Sequence, residues 1–220
     1  MGEAELDRYH NQLIIHSTII TYGNASDENI TEQMRDEIET MWNEPHATVT
    51  LGGFVYNVVF RISSSWQKKI APEEVIETRN PRFNYFRIEE FAIGNISFVD
   101  GLGCNSGYFK LENLYKGSTT AAHEYGHTLG LNHPQYLDIR GKGRPGIMYP
   151  RGTWVDPPYQ YDSNAVPGAP GGTMHPIHRK VLQEDIDQLK LQRLYFINRM
   201  AKIGEFSNVY HRDHSTLHNR

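Results

Sequence analysis

The sequence predicts a mixed α/β fold built as a single domain over residues 1–220, and three observations lead there. Residues 12–22, QLIIHSTIITY, form a β-branched apolar run of strand length, which gives way to a helical repeat and then to further strand-like runs. A second helical stretch follows near residue 118. A last amphipathic pattern begins after a long segment rich in Gly, Pro, Asp and Asn. The order is strand, helix, several strands, helix, long loop, helix, which suits helices packed on a sheet.

Each element has a local signature. In NASDENITEQMRDEIETMWNEP, Asn29 with Glu32 three residues on fits a capping box. Ile30, Met34, Ile38 and Met41–Trp42 recur at helical spacing, and Pro45 closes the segment. Residues 48–62 are strand-rich and interrupted by Gly52–Gly53, the mark of a hairpin or a bulged pair. Residues 63–82 are polar and loop-like, with APEEVIET as a short helix. Strand patterns return at 83–91, 96–99 and 108–111 around the turn-rich DGLGCNSG, and Gly117 with Ser118 starts the next helix. Residues 140–172 carry no periodic pattern and are too long for an ordinary connection, so they are expected to be functional or mobile. Pro176 suits a first helical turn. HRKVLQEDIDQLKLQRLYFINRM reads as one long helix with Leu182, Ile186, Leu189 and Phe196 near one face. The core is expected over about 12–200, with 1–11 and 204–220 flexible.

Composition narrows the function. A hydrophobic fraction of 38% with 11% aromatics supports a real core. The 22 basic and 26 acidic residues, net −4, are spread without a basic run, which argues against a nucleic-acid partner. No stretch reaches the roughly 18–20 apolar residues needed to span a bilayer, and MGEAELDRYHNQ lacks the apolar region of a secretory signal. A single cysteine, Cys104, excludes an intramolecular disulfide and a cysteine-rich zinc site; a plain buried or half-buried role is expected for it. Asn24, Asn29 and Asn95 head glycosylation sequons. A monomer is the expected state.

Residues 123–133, HEYGHTLGLNH, carry the chemistry. His123 and His127, four apart on a helix, project from one face and can share one Zn²⁺. Glu124 lies beside the first ligand, where its carboxylate reaches a metal-bound water rather than the metal, as a general base requires. Gly130 can take the left-handed conformation that ends a helix, after which the chain can return with His133 as third ligand. Three protein ligands leave one position open, the mark of a catalytic zinc site. A histidine-rich helix C-terminus favoured by the dipole accounts for His127 but not for Glu124, Gly130 and His133 together.

The stretch fits HExxHxxGxxH in full and resembles the metzincin zinc peptidases. GIMYP at 146–150 resembles their Met-turn, with Met148 as its methionine. IMYP and LQEDIDQL are similar to the matrixins, and HTLGLNHP is similar to the serralysins. Pro150 occupies the position of an extra tyrosine ligand, so that ligand is not implied. DGLG at 100–103 resembles a matrixin calcium loop, which makes Ca²⁺ a second candidate cofactor beside Zn²⁺. Gly152 stands where matrixins have an aromatic pocket wall, so no pocket preference carries over. The resemblance implies a twisted, mostly parallel sheet with an antiparallel edge strand, an active-site helix and a C-terminal helix. It implies cleavage of a protein or peptide substrate held in extended form along a strand within about 96–111, with 140–172 as one rim of the cleft, and a secreted or extracellular protein. His175 and His178 are expected at a helix start, with a second metal as the alternative role. Two rivals fit the same residues: a zinc amidase of narrow specificity, for instance on cell-wall peptides, and a zinc-containing peptide-binding module without hydrolysis.

Overall fold

The structure is a computed structural model that describes residues 1–92 and 95–212. Expectations for 93–94 and 213–220 lie outside the described residues. In chain order the strands and helices are β1 (Gly2–Asp7), β2 (Gln12–Tyr22), α1 (Glu28–Asn43), β3 (Thr48–Leu51), β4 (Phe54–Trp66), α2 (Pro72–Ile76), β5 (Phe83–Glu89), β6 (Phe98–Val99), β7 (Ser106–Lys110), α3 (Thr120–Thr128), α4 (Gln183–Gln188) and β8 (Met200–Ile203).

β2 organises the sheet. It pairs in parallel with β4 along Gln12↔Asn57 to Thr21↔Trp66. Its other edge is shared: the first half pairs antiparallel with β1, the second half in parallel with β5. The sheet order is β3-β4-β2-β5-β7-β6, with β8 added beside β1. β4, β2, β5 and β7 form the parallel core, and both ends of the path carry short antiparallel strands, β3 on β4 and β6 on β7. The expected twisted, mostly parallel sheet with an antiparallel edge is therefore present. β2 is buried on both faces over Leu13–Ile15 and Ile19–Tyr22, where its apolar residues lie, with Ser17 buried between them.

α1 buries Thr31, Met34, Ile38 and Trp42, one stripe at three- and four-residue spacing. Its cap is Asp27, whose Oδ1 accepts the Ile30 N–H at 2.8 Å, rather than the expected Asn29. Trp42 ties α1 to both the sheet and α3. Its ring lies 5.1 Å from Phe60 and 5.6 Å from Tyr125, and its Nε1 donates to the Ala122 carbonyl at 3.1 Å. The Tyr125 hydroxyl meets Ser17 Oγ on β2 at 2.7 Å. The helix that carries the histidines is thus fixed to the sheet at its centre.

Two expectations need correction. Residues 1–11 are not loose: β1 lies between β2 and β8, with Ala4 and Leu6 buried. The segment after Gly204 is also pinned as far as it is described. Ser207 N–H donates to Asn105 Oδ1 at 2.7 Å, Tyr210 stacks on Tyr22, and His211 Nε2 lies 2.8 Å from Asp100 Oδ1. Second, the long C-terminal helix does not form. α4 has only six residues, Lys190 turns at φ 53°, and the chain continues through a 3-10 turn at Leu191–Arg193 into β8. Burying Val181, Ile186 and Leu191 in the main core while delivering β8 to β1 outweighs the helical propensity of the segment.

Candidate metal centre

α3 begins under constraint. Thr119 precedes it at φ 55°, a left-handed conformation that costs a β-branched residue on the order of 1–3 kcal/mol. That conformation is held by contacts: Arg179 Nε donates to Thr119 Oγ1 at 2.9 Å, Ser118 Oγ accepts the Thr120 N–H at 3.2 Å, and Glu37 Oε1 of α1 accepts the Ala122 N–H at 3.2 Å. At its other end the helix closes at Leu129. Gly130 sits at φ +96°, and the Leu131 N–H returns to the Gly126 carbonyl at 3.0 Å, a Schellman closure that turns the chain back toward the helix face.

That turn brings His133 onto His123 and His127. The three side chains group so that their ligand atoms lie within 4.8 Å of one another, and they can hold a metal ion. His133 Nε2 is 3.0 Å from His123 Nε2 and 3.1 Å from His127 Nε2. The tautomers of two rings follow from their other nitrogens. His123 Nδ1 lies 2.7 Å from the Ile147 carbonyl, and His127 Nδ1 2.7 Å from the Leu131 carbonyl. A carbonyl only accepts, so each Nδ1 carries the proton and each Nε2 presents a bare lone pair. Burial holds all three imidazoles below their ordinary pKa, with Arg179 adding to the effect at each. The rings are therefore neutral. Three imidazole Nε2 atoms crowded at hydrogen-bonding distance, with the lone pairs of His123 and His127 facing inward, suit a cation at their centre. The donor set fits Zn²⁺, which takes imidazole nitrogens at about 2.0–2.1 Å in tetrahedral geometry.

Glu124 is 7% exposed and borders both arms of the cleft at the histidines. Burial raises its carboxyl to about 8, with Arg179 pulling the other way. Met148 is buried under the helix in the main core. A side chain at Gly126 would overlap Met148 Sδ and crowd Trp42, so the glycine inside HEYGH is what admits the methionine so close. The neighbouring Ile147 does more: its carbonyl orients His123, and its N–H donates to the Asp185 carboxylate of α4, which also accepts the Leu182 N–H at 2.8 Å. Asp185 and Arg179 thus brace the ligand set from beyond it. Neither stands out in the sequence, where both are ordinary charged residues in a polar stretch.

The cleft has two arms. One, with room for about 220 Å³, is lined by Thr120, Glu124, Pro150, Arg151 and Arg179. The other, about 320 Å³, runs along Phe98, Val99 and Leu102 past His127 and Asn132. β6 forms the short antiparallel edge beside it. Of the expected rim, Pro150 and Arg151 reach the cleft, whereas much of 140–172 folds over a small separate core of Ile139, Val155 and Met174.

The remaining candidates do not join the centre. Asp100 in DGLG is engaged by His211 and by the Ser106 hydroxyl, and among the described residues the histidine triad is the metal-ligating group found, so calcium has no support. Pro176–His178 form one 3-10 turn capped by His175, whose Nδ1 accepts the Ile177 N–H at 3.3 Å. Cys104 is half-buried, bridges to Glu205, and burial pushes its thiol up. Tyr149, beside the Pro150 that stands where an extra tyrosine ligand would be, packs on the small core, and its carbonyl accepts from Arg179 at 3.3 Å.

No family model matches the sequence, and no curated protein does. Among solved structures, the crystal structure of archaemetzincin from Methanopyrus kandleri is similar at a TM-score of 0.43 and 10% identity, over 85% of this chain and 98% of that chain.

Proposed function

We propose that the chain is a zinc-dependent endopeptidase with His123, His127 and His133 as ligands and Glu124 as general base. The observation that carries the reading is the convergence of three neutral Nε2 atoms beside one buried carboxyl group at the junction of two cleft arms. The full HExxHxxGxxH pattern, with Met148 as Met-turn methionine, supports it further. When bound, zinc supplies Lewis-acid polarisation of a carbonyl and lowers the pKa of a water to about 7.

The residues of the chain do the rest. The Ile147 and Leu131 carbonyls keep His123 and His127 in the liganding tautomer. A cation held by the three histidines would favour the ionised form of Glu124 against its burial, and the carboxylate could then take the proton of the attacking water and deliver it to the leaving amine. The Phe98–Val99 edge offers backbone groups to an extended peptide, which sets its register.

Metal binding tests the ligand assignment. Wild type is expected to bind one zinc per chain, and His133→Ala to lose at least about a hundredfold in affinity while keeping its far-ultraviolet circular dichroism. Equal zinc affinity in His133→Ala would remove that residue from the centre.

A further inference from the structure

The two arms of the cleft differ in charge. Among the described residues the arm along Phe98, Val99 and Leu102 has no lysine or arginine in its lining. The opposite arm has two guanidinium groups, Arg179 buried in its wall and Arg151 exposed at its rim.

Arg179 is fixed by neutral acceptors alone. Nε donates to Thr119 Oγ1 at 2.9 Å, Nη1 to the Tyr149 carbonyl at 3.3 Å and Nη2 to the Ser118 carbonyl at 3.3 Å. Those bonds use three of the five N–H donors of a guanidinium. Among the described residues no carboxylate lies within the 4.0 Å of an ion pair; Glu124 and Glu37 act on it from farther away. A buried cation without a direct counter-ion is costly to keep, and its rigid, forked geometry matches a carboxylate.

Resting on the peptidase reading above, we propose that this arm receives an aspartate or glutamate side chain flanking the scissile bond, and that Arg179 and Arg151 bind its carboxylate. The arm has room for about 220 Å³ beside Thr120, Pro150 and the two cations, enough for an acidic side chain. An arginine serving only to brace Thr119 and Tyr149 would need no second cation at the rim. Bracing alone also predicts no dependence on the substrate's charge.

The test begins with a peptide library digested by the zinc-loaded protein, with cleavage sites read by mass spectrometry. Matched peptides then carry Glu, Gln or Lys at the enriched position. Acidic residues are expected to be enriched at one position beside the cut, with kcat/KM about 10- to 100-fold higher for Glu than for Gln, the range of a hydrogen-bonded charge. Arg179→Gln should abolish that ratio. Because Arg179 is buried and its variant can fail to fold, Arg151→Glu at the exposed rim provides the second arm. It should lower the Glu/Gln ratio and raise cleavage of the Lys peptide. Cleavage without an acidic preference, or an equal loss on all three peptides in Arg151→Glu, overturns the inference and leaves the peptidase reading standing. If zinc-loaded protein cleaves nothing, the peptidase reading falls, and binding of fluorescein-labelled Glu and Gln peptides decides the pocket. Tighter binding of the Glu peptide that Arg151→Glu removes supports it; equal binding overturns it.

Discussion

Residues 1–130 and residues 131–203 reach the same histidine cluster by different means. The first part supplies His123, Glu124 and His127 from a helix nailed to a parallel sheet by Trp42, Phe60, Tyr125 and Ser17. Its shape comes from buried apolar surface and strand ladders. The second part supplies His133, Met148 and Arg179 from turns, one six-residue helix and 3-10 pieces. Its apolar residues Ile147, Met148, Val181, Ile186 and Leu191 join the main core, but its turns are set by polar contacts: Arg179 to three acceptors, Asp185 to Ile147 and Leu182, and His123 to the Ile147 carbonyl. One candidate ligand set can thus join a part held by packing and strand ladders to a part that depends in addition on hydrogen-bonded turns, and the two should fail differently.

The largest difference should follow removal of the aromatic anchor. Trp42→Ala deletes a fully buried ring and its bond to Ala122, and is expected to cost about 3–5 kcal/mol by denaturant titration. Both parts should unfold together, since α3 loses its seat. Separate transitions would show that the second part does not depend on the sheet.

Asp185 sharpens the contrast through pH. Burial raises its carboxyl from 3.8 to about 6, against the backbone N–H donors of Leu182 and Ile147. A folded-state pKa above the unfolded one stabilises the protein most below the unfolded value, and that contribution is lost as pH rises through the folded value. Between about pH 4 and 6, metal-free wild type should therefore lose up to about 3 kcal/mol from this group. Asp185→Asn keeps an acceptor but does not titrate, so its stability should change less over that window. Parallel pH curves for the two proteins would remove Asp185 from the account.

A smaller and more local effect is expected from metal removal. Chelation should weaken hydrogen-exchange protection of the few hydrogen-bonded amides over 131–150 by about a hundredfold, worth about 2.7 kcal/mol, while amides of β2 and β5 stay protected. Uniform loss across the sheet would erase the distinction between the two parts.

The same division decides what was legible in the sequence. In the first part, period and length correspond to local physics: QLIIHSTIITY is β2 to the residue, and Gly52–Gly53, both at positive φ, close the β3–β4 hairpin. The cap was misplaced by two residues because Asp27 and Asn29 are equally good cap types, and only geometry selects between them. β1 does not read as a strand because GEAELD is short and acidic, although it closes a local hairpin on β2 from Asp7↔Gln12 and takes β8 on its other edge. In the second part, period misleads. The sequence from 178 to 200 has a helical stripe, but Lys190 turns and β8 must reach β1. The three clustered histidines were legible because their spacing is itself the pattern that brings them together. Arg179 and Asp185 were not, because a buried charge that braces or binds looks in sequence like any surface charge.

A catalytic site at the triad differs from a structural one in what Glu124 does to a bound water. Its most direct test is digestion of a diverse peptide library by zinc-loaded wild type and by Glu124→Gln at matched zinc content. Cleavage by wild type, reduced at least about a thousandfold in the variant, is the predicted result. Equal cleavage by both would contradict Glu124 as the base. No cleavage by either, with one zinc bound per chain, would contradict a catalytic site.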